Sequence, residues 1–321
     1  TPFESWLLLI TVAALLGLVS RRWHAVPAPL LQVAAGVGLA FVPQLAPQLL
    51  TPELFFTLFI PPLLFADGWL IPKRDFWRWR WQIGFLAIGL AFATVAAVGY
   101  VMHALLPSLP LAVCFALGAL LAPTDAVAVG AVIEKLRLPP RIGHVLSGEA
   151  LLNDASGLVA FKFALAALAT GVFSWQAATL NFVWMAAGGV VIGLAVAWVT
   201  QTLRRWVTDQ GLEDASLQTL MSLLTPFAAY LAAEEAHASD ILGAVAAGMY
   251  AGMSDTKNLT HETRIAAWNV WQLLLTVLNS LVFMLLGLEL PPILERITTY
   301  QPATVLLYAA VLSGVVIVLR L

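Results

Sequence analysis

Charge is what this sequence has least of. Only 11% of its 321 residues are Asp, Glu, Lys or Arg, where a soluble globular domain carries about 25%. With 61% hydrophobic residues and a mean hydropathy of +0.90, that balance excludes an ordinary water-soluble domain and reads as an integral membrane protein. Cysteine is nearly missing too. The single Cys114 excludes an internal disulfide, and its place inside an apolar run gives it a packing role and no redox one. The histidines (His24, His103, His144, His237 and His261) are scattered, with no HExxH among them, and make no recognisable metal set. Nothing matches a GxxxxGK[ST] loop, so ATP-driven chemistry is not expected. No apolar stretch near the start leads into a small-residue cleavage site and a polar chain, so the first run is expected to stay as a membrane helix.

What the chain does contain is apolar runs of about 20 residues, the length an α-helix needs to cross a hydrocarbon core. They lie near 4–20, 27–43, 53–71, 82–106, 110–136, 142–170, 177–203, 215–233, 238–253, 266–290 and 302–321. The runs are too long, and too little alternating, for strands of an outer-membrane barrel. The expected fold is therefore all-α, a polytopic transmembrane bundle of about eleven helices in one domain over 1–321.

The few cations are not spread evenly. Arg21 and Arg22 follow the first run; Lys73, Arg74, Arg78 and Arg80 the third; Lys135, Arg137 and Arg141 the fifth; Arg204 and Arg205 the seventh; Lys257 and Arg264 the ninth. The alternate connections hold only Arg296, while Lys162 and Arg320 fall inside runs. By the positive-inside rule the odd loops are cytoplasmic and the N-terminus is outside, in a cell inner (plasma) membrane.

Two acids then fall near mid-membrane on consecutive antiparallel helices, Asp125 in "APTDAVAVGAV" and Asp154 in "LLNDASGLVAF". A charge at that depth costs at least about 2.5–3.5 kcal/mol on insertion scales and usually faces a partner or a water-filled cavity. A buried acid satisfied by a neighbouring helix is the plainer alternative. Pro123 has no N–H, and its ring clashes with the carbonyl four residues earlier, so the helix should kink or unwind beside Thr124 and Asp125. Unwound backbone at membrane depth is tolerated only against protein or a cavity, and transporters build midplane cation sites from such breaks. Proton and cation then compete for one carboxylate, which is the minimum machinery of an antiporter. On the next helix Asn153 follows Glu149 by four residues and shares its face, whereas Asp154 is turned about 140° away, at about 100° per residue. Asp154 is accordingly assigned to the cavity. Glu149 is expected to be buried and to need a cation, for which Arg320 is the candidate. Lys162 is expected to snorkel toward the interface.

These residues carry a resemblance. With "FIPPLLFADGW", "LAPTDAVAVGAV", "GEALLNDASGLVAF", "FMLLGLELPP" and Arg320, the chain resembles the electroneutral sodium/proton antiporters of the monovalent cation:proton antiporter superfamily, over essentially its whole length. The resemblance implies inverted repeats with a broken helix at the ion site. It implies Na+ at Asp154 with Asn153, Asp125 and Thr124 around it, and a structural ion pair of Glu149 with Arg320. It also implies one-for-one exchange, because Asn-Asp stands where electrogenic relatives carry Asp-Asp. Relatives often have an acid where this chain has Ala66. Asp67 follows instead and is placed on a possible ion pathway, turned about 100° from that position. Core helices are expected over 82–170 and 302–321, scaffold and dimer helices over 1–71 and 215–290, and a linker helix over 177–203. Because the chain starts at Thr1 and stops within the eleventh run, a longer parent with the rest of the second repeat is expected.

Other features read more plainly. "FWRWRWQ" fits an aromatic belt at a cytoplasmic boundary better than a nucleic-acid or head-group site. "AEEAHASD" reads as a short solvated loop that could gather cations. Gly189-xxx-Gly193 and Gly248-xxx-Gly252 fit close helix packing, within a protomer or in a dimer. The leading expectation is a secondary antiporter, not an enzyme, without cofactor, in which helices carrying Asp154 move against a scaffold and exchange Na+ for H+. Its partners are membrane lipid, monovalent cations, protons and a second copy of itself, not nucleic acid. K+/H+ exchange is the alternative, followed by a cation channel lined by Asp125 and Asp154, though no TVGYG-like filter is present, and then a non-transporting scaffold.

Overall fold

The computed structural model describes residues 2–22, 27–42, 52–124, 139–170, 175–212, 214–296 and 301–320. In chain order its helices are α1 (Pro2–Arg22), α2 (Ala28–Leu39), α3 (Pro52–Leu70), α4 (Lys73–Arg78), α5 (Arg80–Leu105), α6 (Leu111–Leu121), α7 (Pro140–Thr170), α8 (Trp175–Asp209), α9 (Ala215–Glu235), α10 (Asp240–Asn258), α11 (His261–Arg296) and α12 (Pro302–Arg320). The described residues contain no strand.

A helix stands on each apolar run. Five of them, α5, α7, α8, α11 and α12, are by length and composition apolar enough to cross a membrane. Much of their apolar surface faces outward: Leu306, Leu307, Ile317 and Val318 on α12 are 69%, 59%, 59% and 72% exposed. Contiguous apolar surface of that kind is tolerated in lipid and not in water. The chain is a multi-pass membrane protein.

Two local features had no signal in the run pattern. Helix α4 is a short amphipathic turn at the basic rim, between α3 and α5. Helix α5 widens into a π-helical stretch over Phe85–Leu90, which packs on α7.

The helices pack in two groups. Helices α5, α6 and α7 contact one another and α12 packs on α5, while α1, α2, α3, α8, α9, α10 and α11 form the other set; α7 makes the sparser contacts across, to α3 and α10, and also touches α4. The larger set has an apolar centre where Phe65 and Trp271, both fully buried, stack at 5.3 Å. Its helices approach closely because small residues line the contacts. A Cβ on Gly193 would lie 2.1 Å from the Gly243 carbonyl oxygen, and one on Gly248 2.0 Å from that of Phe65. Both glycine motifs are therefore used inside the protomer.

At the basic rim, Asp255 on α10 ties the larger group together. It accepts hydrogen bonds from Trp69 Nε1 (3.0 Å), Gln201 Nε2 (2.9 Å) and Arg204 Nη1 (2.8 Å). Arg204 Nε also donates to Gln218 Oε1 at 2.8 Å, so one buried network joins α3, α8, α9 and α10. Arg204, read from the sequence as a loop cation, is in fact 2% exposed.

Lys73 reaches this rim from α4, its ammonium donating to the Trp69 carbonyl. Burial pulls Lys73 from its ordinary 10.5 down to about 8, against the opposing pull of Asp255. Between those values the unfolded chain holds the proton more often than the folded one, so this group adds stability as pH rises through that window. The thermal midpoint of the wild type, relative to a Lys73→Met variant, should climb from about pH 8 to about pH 10.5. Parallel curves would show that Lys73 is not buried in this way.

Candidate functional site

The site is built where α6 stops. Leu121 is the last helical residue, and the backbone over Pro123 and Thr124 is non-helical, as expected of a proline that removes a donor and clashes with the preceding turn. Helix α7 comes very close to this break. A Cβ on Gly157 would sit 2.5 Å from Pro123 Cγ and 3.0 Å from the Ala119 carbonyl oxygen, so any larger residue would push the two segments apart.

A single carboxylate oxygen organises the space between them. Glu149 Oε1 accepts from Asn153 Nδ2 at 2.9 Å and Thr124 Oγ1 at 3.3 Å, and pairs with Arg320 Nη1 at 3.4 Å. Asn153 Nδ2 also reaches Thr124 Oγ1 at 2.7 Å. Arg320, the last residue of α12, uses Nη2 to bond the Ala122 carbonyl at 2.7 Å, meeting an acceptor that the broken helix leaves over. The Glu149 side chain is 5% exposed and that of Arg320 24%.

This arrangement brings together Thr124, Glu149, Asn153 and Arg320 from three segments. Asn153 is fully buried, and its Oδ1 has no hydrogen-bond partner among the described residues. A buried acceptor left over costs free energy unless something fills it, and a neutral amide oxygen is a hard ligand suited to a small cation. Asp154 is half-buried on the same turn of α7. Asp67 is half-buried on α3, in the other helix group. Asp125 lies outside the described residues. Thr124 and Asn153 are both hydrogen-bonded to Glu149, in keeping with the four-residue step that puts Asn153 on the face of Glu149.

The opposite side of α7 holds a second polar cluster. Lys162 Nζ lies 3.9 Å from Asp240 Oδ1 on α10, so this lysine reaches across to an acid instead of only following the interface. Asp240 also takes a hydrogen bond from the Tyr230 hydroxyl. It is 9% exposed, so Asp240 departs from the solvated-loop reading of "AEEAHASD", whereas Glu234, Glu235, Ala236 and His237 are exposed as that reading expects.

Comparison with known proteins agrees with this picture. The family model "Sodium/hydrogen exchanger, transmembrane" matches residues 8–321. The chain is 41% identical over 319 residues to the "Sodium, potassium, lithium and rubidium/H(+) antiporter" of Bacillus subtilis, a match covering 98% of this chain and 48% of that protein. The protein of the same name in Bacillus pumilus is 40% identical over 324 residues, covering 99% and 48%. The chain thus spans about half the length of these curated relatives. Among solved structures, the sodium proton antiporter MjNhaP1 from Methanocaldococcus jannaschii at pH 8 superposes with a TM-score of 0.69 at 18% identity, over 89% of this chain and 70% of that one. At that identity the likeness is one of fold.

Proposed function

The chain belongs to the sodium/hydrogen exchanger family, a family of transporters, and from that premise we propose that it forms the membrane part of a secondary antiporter exchanging Na+ for H+. The observation that carries this reading is the end of α6 at Leu121 and the non-helical backbone at Pro123 and Thr124, braced by Glu149 and Arg320 beside Asp154. An ion crossing lipid must replace its water with fixed oxygens, and an interrupted helix beside a carboxylate supplies them.

In this mechanism Asp154 binds a proton or a dehydrated cation in turn. Asn153 Oδ1 offers a neutral oxygen, with Thr124 hydrogen-bonded to the amide nitrogen of the same side chain, Asp125 next to Thr124 in sequence, and Asp67 on the pathway. Glu149 and Arg320 neutralise each other and hold the break open to the site. The group α5, α6, α7 and α12 moves against the larger set, and α7 carries Asp154 between the two sides. Exchange is one-for-one, with the N-terminus outside the plasma membrane and the protein a homodimer. Because the two Bacillus relatives are named for sodium, potassium, lithium and rubidium, K+/H+ exchange is the second reading.

The test uses proteoliposomes of the protein enclosing a pH-sensitive dye. A pulse of Na+, K+ or Li+ should move protons, and the responding cation names the substrate. Absence of a response to every cation would overturn the antiporter reading. An imposed voltage without ion gradients should move nothing if exchange is electroneutral.

A further inference from the structure

Helix α7 carries Glu149, Asn153 and Asp154, and eight residues beyond Asp154 it carries Lys162. That is about two turns, or about 12 Å along the helix, toward the end away from Arg141. Here the Lys162 ammonium meets Asp240, a residue of α10 in the other helix group. The pair therefore bridges two bodies that touch only sparsely.

The two partners differ in how firmly they are held. Asp240 opens α10, where the helix dipole favours an acid, and its neighbourhood is tightly fixed. The Ser239 amide donates to the Met185 carbonyl on α8 at 2.9 Å, and Ser239 Oγ caps the Leu242 amide at 3.3 Å. The Lys162 side chain is 44% exposed and that of Asp240 13%. A rigid, partly buried acid is thus paired with a cation on a long flexible stem.

The pair faces a cavity of about 300 Å³ lined by Lys162, Met185, Glu234, His237, Ala238 and Asp240. Its walls come from α7 on one side and from α8, α9 and the α9–α10 connection on the other. At 3.9 Å and half in solvent, such an ion pair contributes little to stability. It suits a contact that has to break in every cycle.

We propose that Lys162 and Asp240 form a releasable latch between the two helix groups, and that access to Asp154 from this side requires the latch to open. The closed latch puts a tethered cation in the mouth of the cavity, where it repels an incoming one. Opening withdraws that charge and leaves Glu234 and Asp240 facing the entrance. The inference rests on the alternating movement of α7 proposed above.

The test uses the protein with its native cysteine, Cys114, changed to serine. Lys162→Cys and Asp240→Cys are combined and joined by a short bis-methanethiosulfonate reagent. Cross-linking should lower cation-driven proton movement at least tenfold, with recovery on reduction and no effect of reagent on either single-cysteine protein. A protein cross-linked to completion that exchanges at the untreated rate overturns the latch. If the double-cysteine protein is inactive beforehand, the exchanged pair Lys162→Asp with Asp240→Lys decides. Activity well above both single changes supports the latch, and activity no better than theirs overturns it. Failure of the antiporter reading looks different, because the wild type itself would then show no coupling of cation to proton.

Discussion

Asp154→Asn should abolish cation-driven proton movement, to the level of liposomes without protein, while the protein still inserts and folds. The amide keeps the shape and most hydrogen bonds of the acid, so packing around half-buried Asp154 is preserved. What it loses is the ability to exchange a proton for a metal cation, and no carboxylate means no competition between the two. Glu149 cannot take over, because its Oε1 already serves Asn153, Thr124 and Arg320 and it lies about 140° around the helix. A variant that retained exchange would move the transport role to another acid. A variant that failed to fold would show instead that Asp154 is a structural residue, which a thermal midpoint close to wild type would exclude.

Glu149→Ala should be the most destabilising change at the site, by about 3–5 kcal/mol, the usual cost of removing one partner from a buried ion pair. Arginine cannot shed its proton to adapt, so Arg320 would be left with the Ala122 carbonyl alone. The hydroxyl of Thr124 and the amide of Asn153 lose an acceptor at the same time. Arg320→Ala should cost less, because the remaining carboxyl can protonate and keep its two neutral donors. The combined Glu149→Ala, Arg320→Met protein should recover part of the loss, since replacing both partners by apolar groups is often nearly neutral. Thermal unfolding of the four proteins in one detergent measures this. Equal losses in the two single variants would rule out the asymmetry.

The sequence made some of this legible for physical reasons. Long apolar runs mark helices because lipid leaves the backbone few alternatives, and Pro123 marks the break because its ring forbids the regular turn. The relation of Glu149, Asn153 and Asp154 follows from the helical step alone. Long-range partners were not legible. Arg204 looks like one more cytoplasmic cation because its acceptor, Asp255, is 51 residues away. Asp240 looks solvated for the same reason: Tyr230 and Lys162 arrive on other helices. The widening at Phe85–Leu90 has no marker residue such as proline in the sequence.

The ion pair at the centre of the site also has a history during synthesis. Glu149 and Arg320 are 171 residues apart, and at about 5–20 residues per second the acid emerges roughly 10–30 s before its cation exists. Through that interval the nascent chain must shelter a carboxyl group with nothing to neutralise it, either by keeping it protonated or by delaying the entry of α7 into lipid. Among the described helices α12 follows all of the larger set, so the pair that braces the site forms after those helices have been made.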